Sequence, residues 1–261
     1  MYLRIFVAFL ASILFFFPFI RLKKIISAPK KDLVLLVTRS LSLYVGGVVL
    51  GSQAVILTKY SNVAFISALP MIAILGVLLL GERLTLKKGF YIVMAVFGVM
   101  LIAVQDFSNV LHFGTGETLA FLSTICIALS YIARKWQSDH LNDQEITVGM
   151  LFLGMLSVFI VSVGSGEQFS FHSFTTGLVI ILLLSGFLNA FGMFLTNYVF
   201  NRVEAIIANN FLTLSTVFAL IFGFIFFQEL PTLKELLGGA IIVTSVILMN
   251  QEAKRLALKK S

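Results

Sequence analysis

Glu82-Arg83-Leu84-Thr85-Leu86-Lys87 recurs 147 positions on as Glu229-Leu230-Pro231-Thr232-Leu233-Lys234. Both stretches read E-x-x-T-L-K. Each follows a long apolar run and precedes another that contains glycine, Gly98 in the first copy and Gly238 with Gly239 in the second. Nine apolar runs can be read around them, at 2–20, 33–57, 62–81, 89–105, 118–134, 146–164, 177–200, 204–227 and 236–250. Shifted by the same offset, the first four runs fall on the last four in order, so a six-residue match becomes an internal repeat. The run 118–134 has no partner, and its equivalent would precede Met1. The copies therefore hold four and five runs, and equivalent runs are five membrane crossings apart. An odd number of crossings inverts one copy relative to the other, an arrangement characteristic of secondary transporters.

Composition supports the membrane reading. Of 261 residues, 59% are hydrophobic and 12% charged, with 27 Phe, and mean hydropathy is +1.03. Soluble domains carry about 25% charged residues, so a soluble enzyme, a disordered chain and a disulfide scaffold are excluded. Cys126 is the single cysteine, which rules out an intrachain disulfide. Continuous runs of about 20 apolar residues are spanning helices, whereas a β-barrel would alternate in segments of about ten. The expected fold is all-α: a polytopic membrane bundle of nine transmembrane helices, built from two inverted repeats. The expected domains are a first repeat at 1–106, a second at 117–251 and a basic cytoplasmic tail at 252–261.

The net charge of +7 reflects topology rather than nucleic-acid binding. With the loop from Arg21 to Asp32 in the cytoplasm, fifteen Lys and Arg residues fall on that side, Arg134 and Arg202 among them. Three (Arg4, Lys59 and Lys234) fall outside, and Arg39 lies within a run. This bias places the N-terminus outside and the C-terminus inside. The first run is followed, not preceded, by Arg21, Lys23 and Lys24, the reverse of a signal peptide.

At this level the chain resembles the drug/metabolite transporter superfamily, of the type built from two EamA domains of five helices each. The residues carrying the resemblance are Pro70-Met71-Ile72-Ala73 with Gly76, then Leu78-Leu79-Leu80-Gly81-Glu82, Thr85, Gly89 and Gly98. The pattern returns at Val217-Phe218-Ala219, Gly223, Glu229, Thr232 and Gly238, and Leu3-Arg4 with Ala8 looks like the start of the family's second helix. The resemblance implies a ten-helix parent with cytoplasmic termini, residence in a bacterial inner membrane, and movement of small metabolites, amino acids or drugs. Two features depart from that pattern: the first helix is missing, and Thr216 stands where the second copy usually has Pro. The second departure predicts the loss of a kink.

Polar residues inside spans mark candidate sites. Three stripes fall at helical spacing: Arg39, Ser42, Gly46 and Gln53; Ser185, Asn189, Gly192 and Thr196; and Asn209, Thr213, Thr216 and Gly223. In 118–134, Thr124 and Tyr131 share one face, Ser130 and Arg134 another. Small residues alone serve helix packing, as in Gly47-x-x-x-Gly51. A carboxamide needs both donors and acceptors satisfied, so for Asn189, Asn209 and Asn210 cavity lining and interhelical bonding both stand. Arg39 either snorkels to the cytoplasmic surface or binds an anionic group. The candidate substrate-binding set is Asn189, Asn209, Asn210, Thr213, Thr216, Arg39, Tyr131 and Thr124. Glu82 and Glu229 are expected to be structural, solvated or paired with a nearby base at the membrane surface.

The chain shows no phosphate-binding loop and no nucleophile elbow, and His112, His140 and His172 lack ligand spacing. No enzyme activity, catalytic residue, cofactor or metal is expected. The expected function is a secondary carrier for a small organic solute, working by alternating access between the repeats. The alternative is a truncated, non-transporting homologue acting as a membrane partner or assembly subunit. The expected partners are a small-molecule substrate and the lipid bilayer, without nucleic acid, and a homodimer is left open as an assembly.

Overall fold

The computed structural model describes residues 2–103, 114–166, 175–228 and 230–258. Among them all regular structure is helical. In chain order the helices are α1 (Tyr2–Phe16), α2 (Leu22–Ile26), α3 (Lys30–Leu41), a π-helical stretch Ser42–Val49, α4 (Leu50–Leu57), α5 (Tyr60–Ser67) and α6 (Met71–Leu80). They continue with α7 (Leu86–Ala103), α8 (Thr115–Ile132), α9 (Asp143–Gly164), α10 (Thr176–Arg202), α11 (Ala205–Leu212), α12 (Leu214–Phe227) and α13 (Leu233–Leu258). Among the described residues, nine helical segments are long and apolar enough to cross a membrane, so the chain is a multi-pass membrane protein. Glu229 of the second E-x-x-T-L-K stretch, His112 and His172 lie outside the described residues.

Where polar residues cap a helix, it starts earlier than its apolar run, as α9 does at Asp143. At α9, Asn142 Oδ1 accepts from Glu145 N (2.7 Å) while Glu145 Oε2 accepts from Asn142 N (2.9 Å). This reciprocal pair satisfies orphan N–H groups of the first turn and draws Asp143 and Glu145 into the helix.

The chain forms two compact units, Met1–Val49 with Leu129–Arg202, and Leu50–Ala128 with Val203–Ser261. Each takes segments from both sequence repeats. In the first unit α1 packs on α9 and α10, and α3 on α9. Aromatic pairs account for much of the Phe content there: Tyr2 meets Phe159, Phe9 meets Phe152, Phe15 meets Phe187 and Phe16 meets Phe194, with ring centroids 4.8–5.4 Å apart. Polar bonds tie the ends of these helices together. Glu145 Oε1 accepts from Arg21 N (3.1 Å), Asn142 Nδ2 donates to Phe19 O (3.0 Å), and Asp32 Oδ1 accepts from Ser138 N (2.9 Å).

In the second unit α7 crosses α13 at glycines. A Cβ on Gly98 would lie 2.7 Å from Gly238 O, and one on Gly238 would lie 2.7 Å from Gly98 O. Small residues thus allow backbone-to-backbone approach. Ala73, Ile92, Ile206 and Met249 form one core cluster, and Ala54, Val63, Ile66 and Ala120 another. Glu82 is structural and half-buried, and among the described residues its carboxylate meets backbone rather than a base. Its Oε1 accepts from Ala205 N (2.7 Å) and its Oε2 from Ile206 N (3.0 Å), so it caps α11 from a distant part of the chain. Lys88, buried, pairs with Glu204 just before that helix. Negative charge at a helix N-terminus is favourable, and two carboxylates sit at this one.

The repeat is visible in backbone geometry. Gly81 ends α6 in the left-handed conformation (φ 66°), and Gln228, 147 positions later, ends α12 in the same conformation (φ 57°). The predicted loss of a kink in the second copy is corrected. Pro70 separates α5 from α6 in the first copy, and the second is interrupted as well, at Thr213 between α11 and α12. Hydroxyls take the place of the proline. Thr213 Oγ1 donates to Asn210 O (2.6 Å) and Ser215 Oγ to Leu212 O (2.7 Å), drawing carbonyls away from the helical ladder.

Candidate functional site

One cluster of fully buried polar groups in the first unit surrounds Arg39, which is 1% exposed. It sits on the last turn of α3 and does not snorkel. Its Nε donates to Ser130 O (2.9 Å), one terminal nitrogen to Gln137 Oε1 (2.6 Å) and the other to Asn197 Oδ1 (2.6 Å). Ser130 Oγ returns a bond to Arg39 O (2.8 Å), and Asn197 Nδ2 donates to Thr147 Oγ1 (3.1 Å). All three acceptors of the guanidinium are neutral. The site therefore holds a cation in apolar helices with no carboxylate in direct contact, which is costly.

A second guanidinium lies one turn beyond Ser130. Arg134 is also 1% exposed, and its Nη2 donates to Asp143 Oδ1 (2.6 Å). The other oxygen of Asp143 accepts from Arg202 (2.7 Å), whose guanidinium also stacks 3.7 Å above the Tyr198 ring. Two guanidinium groups thus share one carboxylate, while Arg39 touches none. The remaining buried acids of the unit are engaged elsewhere, Asp32 with Ser138 and Glu145 with the start of α9 and Lys24. Arg134 and Gln137 stand three residues apart across a 3₁₀ turn, Ala133–Trp136, and in such a turn positions i and i+3 eclipse. Buried and without hydrogen-bond partners here are Arg134 Nε, Arg134 Nη1 and Gln137 Nε2.

The predicted site residues divide between the units. In the first, Tyr131 is half-buried and packs on Phe200 with centroids 5.1 Å apart. Asn189 is half-buried, with Gly192 exposed beside it. The buried face of α10 is Gly186, Ala190, Met193, Asn197 and Phe200, one position round from the predicted stripe. In the second unit Thr124 is buried and turns its hydroxyl back on Ala120 O (2.9 Å). Asn209, Thr213 and Thr216 are half-buried. Asn210 is fully buried: Ser245 Oγ donates to Tyr91 O (2.6 Å) and lies 3.1 Å from Asn210 Oδ1, while Asn210 Nδ2 has no partner. The stripe Arg39, Ser42, Gly46 and Gln53 does not hold as one face, since Gln53 is exposed. The intervening Ser42–Val49 stretch is π-helical, so a 3.6-residue period carried across it drifts.

Sequence reasoning missed Gln137, Asp143 and Asn197, and read Arg134 as a cytoplasmic base. A base just after an apolar run looks like topology, and only packing shows it to be buried. Asn197 carried a usable signal, being a carboxamide inside an apolar run. A different polar cluster lies in the second unit, where the buried Glu117 carboxylate accepts from Thr58 Oγ1, from Asn62 Nδ2 (2.8 Å) and from Gly114 N (2.9 Å). Among the described residues no group of three or more His, Cys, Asp or Glu is placed to hold a metal ion.

Residues 114–251 match the family described as EamA-like transporter family. A WAT1-related protein of Arabidopsis thaliana, described as chloroplastic, is 23% identical over 189 residues, which cover 69% of this chain and 45% of that protein. The chain thus spans less than half the length of that relative. A crystal structure of a protein 12% identical in sequence superposes with a TM-score of 0.82 over 98% of this chain and 87% of its own, a likeness of fold.

Proposed function

This chain belongs to the EamA-like transporter family, and on that premise we propose that it is a secondary carrier moving a small organic solute by alternating access between its two inverted repeats. The observation that carries the reading is Arg39. A guanidinium kept 1% exposed among spanning helices, on neutral acceptors alone, is an expensive arrangement. Ionisable groups at such depth mark substrate or ion pathways. The sequence repeat supports the mechanism, because inverted copies can exchange conformations about a site near the midplane. The setting is a bacterial inner membrane with the basic loops in the cytoplasm and the N-terminus outside.

Within the first unit the proposed solute-binding residues are Arg39, Tyr131 and Asn189; Thr124, Asn209, Asn210, Thr213 and Thr216 are proposed for the second unit taken by itself. Asn189 is the sharpest test, since among the described residues its half-buried carboxamide has no hydrogen-bond partner that a substitution would strand. Asn189→Ala is expected to raise the half-saturation concentration for uptake several-fold while leaving membrane abundance unchanged. Uptake measured in cells across a metabolite panel, beside an immunoblot of the membranes, checks this. Unchanged uptake removes Asn189 from the site, and flux equal to an empty-vector control across the panel rejects the carrier reading.

A further inference from the structure

The buried donors left over in the first unit share a chemical character. Tyr44 OH, Arg134 Nε, Arg134 Nη1 and Gln137 Nε2 can all donate, none has a partner, and the last three stand within one turn of the chain. The orientation of the Gln137 amide is set by Arg39, which can only donate and so takes the oxygen, leaving the NH₂ group over. Charge points the same way. The two buried guanidinium groups, Arg39 and Arg134, have one buried carboxylate between them, that of Asp143, and it also serves the half-exposed Arg202. Unpaired buried donors and excess positive charge each cost free energy, and one acceptor-only, negatively charged group relieves both.

We propose that the Arg134–Gln137 turn, backed by Arg39, is a buried oxyanion site that takes the carboxylate or phosphate group of the transported solute. Arg134 leaves Nε free on one edge of its guanidinium and Nη1 on the other, either side of the Nη2 held by Asp143, and each is a charge-assisted donor for a carboxylate or phosphate oxygen. Gln137 adds a neutral donor, and Arg39, bonded to Gln137 Oε1, adds its positive charge. Asp143 holds the remaining terminal nitrogen of Arg134 and so fixes the direction of the guanidinium. The ligand's identity as cargo rests on the carrier reading, because Arg134 is closed off from solvent here and an anion reaches it only when the helices part. Occupancy of the site does not depend on transport.

Trp136, the single tryptophan, lies between Arg134 and Gln137 in sequence and is 40% exposed, so its fluorescence reports on this turn. It also borders a surface groove of about 440 Å³ with Lys30, Lys31, Val34 and Leu35, which must be distinguished from the buried site. The purified full chain in phosphatidylcholine nanodiscs is titrated with inorganic phosphate and with succinate, against sodium chloride at matched ionic strength. The expected result is saturable change in Trp136 emission and a rise of several degrees in the unfolding midpoint.

Gln137→Glu supplies a resident carboxylate. It is expected to raise the midpoint without ligand and to abolish the response to both oxyanions. Arg134→Lys keeps the charge but loses the guanidinium donors Nε and Nη1, and is expected to weaken apparent affinity at least tenfold. Lys30→Gln with Lys31→Gln is expected to leave the response intact. Nanodiscs containing phosphatidylglycerol separate the sources. A response to added phosphate or succinate in phosphatidylcholine alone identifies a soluble anion. A shift sensitive to Gln137→Glu that needs phosphatidylglycerol assigns a lipid phosphate, which supports an oxyanion site but overturns its assignment to cargo. The proposal is overturned if oxyanions act no differently from chloride, if Gln137→Glu responds like the parent, or if the double lysine variant loses the response. Oxyanion binding without flux would reject the carrier reading alone, and flux without an oxyanion effect would reject the site alone.

Discussion

Asp143 carries more of the first unit's stability than its place in the first turn of α9 suggests. One oxygen meets Arg134, which is 1% exposed, and the other meets Arg202, whose side chain is 46% exposed. The two halves of this bridge are unequal. Removing the carboxylate strands a buried guanidinium, and breaking a buried pair from one side costs about 3–5 kcal/mol. Removing the exposed partner leaves Asp143 still bonded to Arg134, and exposed pairs are worth about 0–1 kcal/mol. Asp143→Asn is therefore expected to destabilise the protein by several times as much as Arg202→Gln. Unfolding in mixed micelles measures both, and equal losses would contradict the assignment of burial to one side. Arg39 was legible as a candidate because a lone Arg inside an apolar run has few bland explanations. Its partners were not, because Ser130 O, Gln137 Oε1 and Asn197 Oδ1 come from separate elements that only tertiary packing brings together.

Among the elements, helix ends show where the repeat is preserved and where it has drifted. α6 ends on Gly81 at φ 66° and α12 on Gln228 at φ 57°. A residue with a Cβ pays roughly 1–2 kcal/mol for the left-handed conformation, and glycine does not. Gln228→Gly is expected to stabilise the protein by about 1 kcal/mol, and the same unfolding measurement checks it. A loss would show that Gln228 contributes more through its side chain than its backbone costs. The helices themselves were legible because length and hydropathy suffice to define spans. What failed was phase within a helix. α10 is apolar around most of its circumference, so the sequence offered no contrast between the face with Ala190 and Asn197 and the one with Asn189. A π-helical stretch then shifted the register downstream of Arg39. The break at Thr213 was hidden for a related reason, since hydroxyls in helices usually bond backward without interrupting them and no proline announced it.

For the molecule as a whole, the two E-x-x-T-L-K stretches led to the nine-span arrangement, and the family match over 114–251 agrees with the transporter reading. The compact units could not be read in the same way. Each combines segments from both repeats, and that pairing depends on contacts such as Gly98 against Gly238, which no local pattern encodes. The central claim is that this fold moves a solute. Purified protein reconstituted in liposomes preloaded with an unlabelled metabolite panel, organic anions included, tests it by uptake of the labelled counterparts. The account predicts saturable uptake of at least one solute, accelerated by the same solute inside. Uptake indistinguishable from protein-free liposomes for every solute would contradict it.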